Sequence, residues 1–121
     1  MKRGDKMSFT VISVEPRKPY RGQKITMKID VRSEYSFPHP FIFKVISEDG
    51  TTILEHPIGV LRPDETKVVE LEIPVKTDKE VFRIEVSLWV EVEGLLLLDD
   101  VKKFTFEVQE ARRWLRWLLR R

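Results

Sequence analysis

The sequence has no cysteine and no asparagine, and only two glutamines, Gln23 and Gln109. Without cysteine there is no disulfide, no zinc–thiolate centre and no thiol nucleophile. A metal site would fall to His39 and His56. Each stands beside proline, and no H-x-x-x-H spacing occurs. The signatures G-x-S-x-G, G-x-x-x-x-G-K and G-x-G-x-x-G are also missing, and with them the usual marks of a serine hydrolase, a P-loop and a dinucleotide fold. The expectation is a chain with no catalytic residues, no metal and no cofactor. No run reaches the ~18 apolar residues that suggest a membrane span. The first residues are basic and polar, and the apolar stretch after them is short and strand-like, so no secretory leader is legible. A cytoplasmic protein, or one peripheral to a membrane, is expected. Few labile amides beside 35% charged residues, against about 25% in ordinary domains, is the bias of a hyperthermophile.

What is present is alternation. From Val81 to Val92 the residues Phe82, Ile84, Val86, Leu88, Val90 and Val92 fall on one side of an extended chain. Arg83, Glu85, Ser87, Trp89 and Glu91 fall on the other. This is the strongest strand signal in the chain. Residues 8–15 read as a first strand whose apolar phase slips, from Phe9 and Val11 to Ile12 and Val14, as at a bulge or in a strand that switches from one sheet to the other. Residues 23–32 alternate through Ile25, Met27, Ile29 and Val31. Residues 41–47 are apolar on both phases, which suits a strand covered on both sides or paired centrally. Residues 48–51 (EDGT) make a hairpin turn. A short strand over 52–55 is ended by His56-Pro57 and Gly59. Residues 66–75 alternate through Val69, Leu71, Ile73 and Val75. Residues 103–108 alternate through Phe104, Phe106 and Val108. Seven strands at ~8–12-residue spacing are the pattern of an antiparallel sandwich. A chain of 121 residues is one ordinary domain with room for a real core.

Certain short stretches carry a resemblance. They are Val14-Glu-Pro, the alternating run after Gly22, Asp49-Gly-Thr, Leu61-Arg-Pro-Asp-Glu-Thr, and the long strand with its acidic hairpin. Together, over residues 8–108, they resemble CARDB-type immunoglobulin-like domains. The resemblance implies a non-catalytic module of the kind found in surface or adhesion proteins, and it carries over no functional residue. The chain departs from the family pattern at Asp64, where glycine is usual, and at Lys102 and Lys103, near where an asparagine pair often follows the hairpin.

The tail reads differently. Residues 109–121 (QEARRWLRWLLRR) hold five Arg against Glu110, a charge of +4, so that the remainder of a chain at +2 carries −2. At helical spacing Ala111, Trp114, Leu115, Leu118 and Leu119 share one face, with Trp117 at its edge. Arg112, Arg113, Arg116 and Arg120 lie opposite. The expected fold is therefore an all-β immunoglobulin-like antiparallel β-sandwich of about seven strands over residues 1–108, followed by a short amphipathic C-terminal α-helix over 109–121. Such a helix suits its own sandwich, a partner, a second copy or an anionic membrane surface. Nucleic acid is disfavoured, because the apolar half would have no role there.

Two further apolar features lack an obvious cover: Trp89 on the outward phase of its strand, and the run Leu95, Leu96, Leu97 and Leu98. Glu91, Glu93, Asp99 and Asp100 flank that hairpin and read as its wet face. The expected function is a small non-catalytic protein-interaction or assembly module. Its partner-binding residues are Trp89, Leu95, Leu96, Leu97, Leu98, Trp114, Leu115, Trp117, Leu118 and Leu119. The expected partner is a protein or a second copy of the chain. The alternatives are a peripheral membrane protein held by Arg112, Arg113, Arg116 and Arg120, or a surface ligand-binding module. Trp89, the leucine run and the tail are expected to cover one another at least in part.

Overall fold

Alternation decides which faces meet. The computed structural model describes residues 7–109, which form seven strands: β1 (Met7–Glu15), β2 (Lys24–Ser33), β3 (His39–Ser47), β4 (Thr52–Leu61), β5 (Thr66–Pro74), β6 (Val81–Val92) and β7 (Leu95–Glu107). They make two antiparallel sheets, β1-β2-β5 and β4-β3-β6-β7. A constant-type immunoglobulin domain places its fourth strand beside the fifth. Here β4 pairs β3 instead, which gives a division of three and four.

The inward phases of both sheets form one core. Ile25, Met27, Ile29 and Val31 of β2 are fully buried with Leu71 and Ile73 of β5, and they face Phe43 and Val45 of β3 and Val86, Leu88 and Val90 of β6. Phe9 and Phe43 meet across the sheets edge to face, with ring centroids 5.2 Å apart, the geometry their quadrupoles favour. The phase slip read in the first strand is a register shift between Val11 and Ser13. As the doubly apolar 41–47 stretch suggests, β3 is central, paired by β4 and β6.

Asp64, which stands where the resembled family has glycine, has φ +63°. Aspartate is among the few non-glycine residues that enter the left-handed region at small cost. The Asp64 N–H donates to the Ser33 carbonyl at 2.9 Å.

Three expectations need correction. The fold class loses its helix: among the described residues there is none. Gln109, the first residue of the expected helix, is extended and bridges Tyr20 in parallel. Its N–H donates to the Pro19 carbonyl (2.8 Å) and its carbonyl accepts from the Arg21 N–H (3.2 Å). A residue opening a helix needs that carbonyl for the first helical hydrogen bond, and here it is spent on the sheet side. The remainder of the expected helix lies outside the described residues. Secondly, β4 does not stop before His56-Pro57 but runs on to Leu61. It is an edge strand, where a missing proline N–H costs no ladder bond. Thirdly, β7 begins at Leu95 rather than Lys103 and has 13 residues.

Candidate interaction surface

The site is the β6–β7 hairpin and the outer face of the four-stranded sheet beside it. Val92 pairs Leu95 directly, so the connection is the two residues Glu93 and Gly94. Their φ values are +52° and +81°. Two successive positive φ values are the type I′ form, whose twist matches that of the flanking strands. The four leucines after it are thus not a loop. They are held in register against β6, as Leu95↔Val92, Leu96↔Glu91, Leu97↔Val90 and Leu98↔Trp89.

One extra residue follows. Leu88 pairs Asp100 while Trp89 pairs Leu98, which leaves Asp99 as a bulge. Tyr35 Oη donates to its Oδ2 at 3.0 Å. Directly opposed residues share a face. Leu98 and Leu96 therefore lie on the outer face with Trp89, while Leu97 and Leu95 take the inner phase, beside Val90 and Val92. All four are exposed, at 66, 41, 48 and 52% for Leu95 to Leu98 in order. Among the described residues β7 is also the last strand of its sheet, so its far side is an edge that no described strand pairs.

Trp89 is half-buried. Its Nε1 donates to Ser87 Oγ at 2.9 Å, and that hydroxyl donates to the Lys44 carbonyl at 3.0 Å. The pair explains how a serine on the outward phase of β6 can be 2% exposed: the indole lies over it. Lys44 Nζ stands 5.0 Å from the ring centroid, a cation–π contact of about 0.5–1 kcal/mol at such a site. Ile42 pairs Trp89 on its other side. The outer face thus carries the row Ile42, Trp89, Leu98, extended by Leu96 and by Val101. Away from this patch the same face is charged and self-paired, with Lys103–Glu85 at 3.9 Å and Arg83–Glu48 at 3.6 Å.

Of the sequence candidates, Trp89 and Leu98 are brought together, and Leu96 adjoins them. Leu95 and Leu97 turn to the other face. Trp114, Leu115, Trp117, Leu118, Leu119, Arg112, Arg113, Arg116 and Arg120 lie outside the described residues. Sequence reading missed Ile42, Lys44 and Val101. The two apolar phases of 41–47 held the signal for Ile42, since a sheet with one wet face needs only one. His39 rests against the Tyr35 ring, with centroids 5.1 Å apart, on a different strand from His56. Asp100 accepts from the Val101 N–H at 2.9 Å and lies 3.8 Å from Lys102 Nζ.

No family model and no curated protein matches the chain. Solved structures do. The C-terminal domain of wzt is similar at TM-score 0.57 and 10% identity, over 87% of this chain and 71% of that one. Spo0M, the sporulation control protein of Bacillus subtilis, is similar at TM-score 0.51 and 12% identity, over 95% of this chain and 54% of that one. A calcium-binding mutant of Bacteroides uniformis β-glucuronidase 2 is similar at TM-score 0.51 and 17% identity, over 87% of this chain but 13% of the enzyme. The chain therefore spans about half of Spo0M and a small part of the glucuronidase. At these identities the likeness shows the fold, an immunoglobulin-like β-sandwich.

Proposed function

We propose that this protein is a small non-catalytic assembly module that associates with a second copy of itself through the β6–β7 hairpin. The observation that carries the reading is the leucine run. Four consecutive leucines, apolar on both faces, stand exposed on an edge that no described strand pairs, and Leu98 continues into the patch around Trp89. Natural sheets blunt such edges with charge, proline or a cover, and apolar patches left open mark contact sites. The CARDB-like features of residues 8–108 agree with a non-catalytic module.

Sedimentation velocity on the full chain tests this. Interfaces under ~1,200 Å² form weak, transient complexes, so the concentration series should extend from about 1 µM to 1 mM. The expected result is a dimer that forms with rising concentration, and a Leu96→Lys/Leu98→Lys variant that stays monomeric. A wild-type chain that is monomeric throughout overturns the proposal. If that monomer also floats with vesicles of anionic lipid, the membrane-surface alternative replaces it.

A further inference from the structure

We infer that the two copies join strand to strand, with their β7 strands antiparallel about a two-fold axis at Val101, so that Asp100 of each copy faces Lys102 of the other. This rests on the self-association proposed above and names its register. The two four-stranded sheets then become one of eight strands.

The order of residues along β7 sets the register. An antiparallel two-fold lays the strand on its own reverse. Reversed about Val101, the sequence puts Asp100 on Lys102 and Lys102 on Asp100. Both side chains are on the inner phase, opposite Leu88 and Val86 of β6, so each cross pair shares a face, where opposite charges attract and like charges repel. Moving the axis one residue toward the hairpin sets Asp100 against Asp100. Moving it one residue the other way sets Lys102 against Lys102. Half-residue shifts oppose an inner side chain to an outer one. Val101 is thus the one axis in this stretch that the charges accept.

The bulge completes the match. Past Asp99 the count shifts by one, and Leu98, Leu97, Leu96 and Leu95 come opposite Lys103, Phe104, Thr105 and Phe106 of the second copy. Leu97 and Leu95, the leucines furthest from any cover on the inner phase, then lie beside the strand that carries two phenylalanines. In the single chain Asp100 Oδ1 holds the Val101 N–H, a side-chain stopper at the middle of the edge. Lys102 of the second copy draws that carboxylate away and frees the N–H for the new ladder.

The test is sedimentation equilibrium on full-length Asp100→Lys, Lys102→Asp and their equimolar mixture, with circular dichroism confirming each fold. Each single variant turns two attractions into two repulsions and should weaken self-association about tenfold or more. In the mixture every cross pair is again of opposite sign, so association should return to within about threefold of wild type. Val101→Cys supplies a second arm that needs no charge change. The chain has no other cysteine, and an axis at Val101 brings the two thiols within disulfide range, so mild oxidation should give a covalent dimer. If the single variants dimerise like wild type and Val101→Cys does not crosslink, while Leu96→Lys/Leu98→Lys is still monomeric, this register is wrong and the self-association reading stands. A wild-type chain that never associates overturns both.

Discussion

The four-stranded sheet has two edges, and β4 and β7 treat them differently. β4 has Glu55 and Pro57 at mid-strand, and its pairing to β3 shifts register twice. Lys67 of β5 donates to the Ile58 carbonyl at 3.0 Å, which ties that edge to the opposite sheet. Ile58 and Leu61 are drawn into the core. β7 has a single bulge, with Asp100, Lys102 and Lys103 just past it, and on the hairpin side its leucines are exposed. Charge, proline and irregular pairing are the ordinary means of closing an edge. β4 spreads all three along its length, whereas β7 confines its charges and its bulge to residues 99–103 and leaves Leu95 to Leu98 exposed.

The largest expected effect separates the two edges by stability. Ile58→Ala removes a side chain only 6% exposed and should cost ~2–5 kcal/mol. Leu97→Ala should lie within about 0.5 kcal/mol of wild type, as at other surface positions. Urea denaturation of dilute protein reads both. Equal losses would mean that the β7 tip is covered in the single chain, and the contrast between the edges would fail.

The two edges were also unequally legible. β6 could be read because a strand buried on one face writes its period into the sequence: Phe82, Ile84, Val86, Leu88 and Val90 are all buried. Leu95 to Leu98 write no period, since both phases are apolar, and nothing in the run itself distinguishes strand from loop. Only the turn does so, and Glu93-Gly94 is an uncommon spelling of it. His56-Pro57 looked like a stop because proline breaks a central ladder, yet on an edge strand it breaks nothing. At Gln109 the helical spacing of the sequence beyond it said nothing of the bridge to Tyr20, which is set by a loop some ninety residues earlier. The candidate site was half visible for the same reason. Trp89 and the leucines stood out by composition, whereas Ile42 and Val101 join them only through cross-strand register.

A smaller effect sharpens the contrast at the turns. Glu93 holds φ +52° without the local hydrogen-bonding that lets Asn or Asp adopt it readily. Glu93→Asn should therefore stabilise the β6–β7 hairpin by about 0.5–1 kcal/mol, seen as slower amide exchange at β6–β7 sites and unchanged exchange in β4. Such a gain would show that the open edge rests on a hairpin held by backbone shape. A loss would show that Glu93 makes a contact of its own.

The smallest effect concerns the other hairpin, which is held by a charge. Asp49 opens the turn between β3 and β4. Its carboxylate accepts from Ser47 Oγ and from the Thr51 N–H. The hydroxyl of Ser47 is the chief cause, and the Thr51 N–H the next, that lowers its pKa from 3.8 to about 2. A carboxyl with a lowered folded value supports the fold above its unfolded pKa and loses that support as pH falls toward the folded one. As pH falls from 3.8 to about 2, the Thr51 amide should therefore lose more of its protection against exchange, taken relative to the intrinsic rate at each pH, than the Leu95 amide, whose turn has no such carboxylate clamp. NMR titration of the Asp49 side chain should give a midpoint near 2 in the folded chain, moved toward 3.8 by Ser47→Ala. A wild-type midpoint near 3.8 would mean that the clamp does not form in solution. The β3–β4 hairpin would then be held by its backbone alone, as the β6–β7 hairpin is, and the difference between the two edges would come down to what their strands carry.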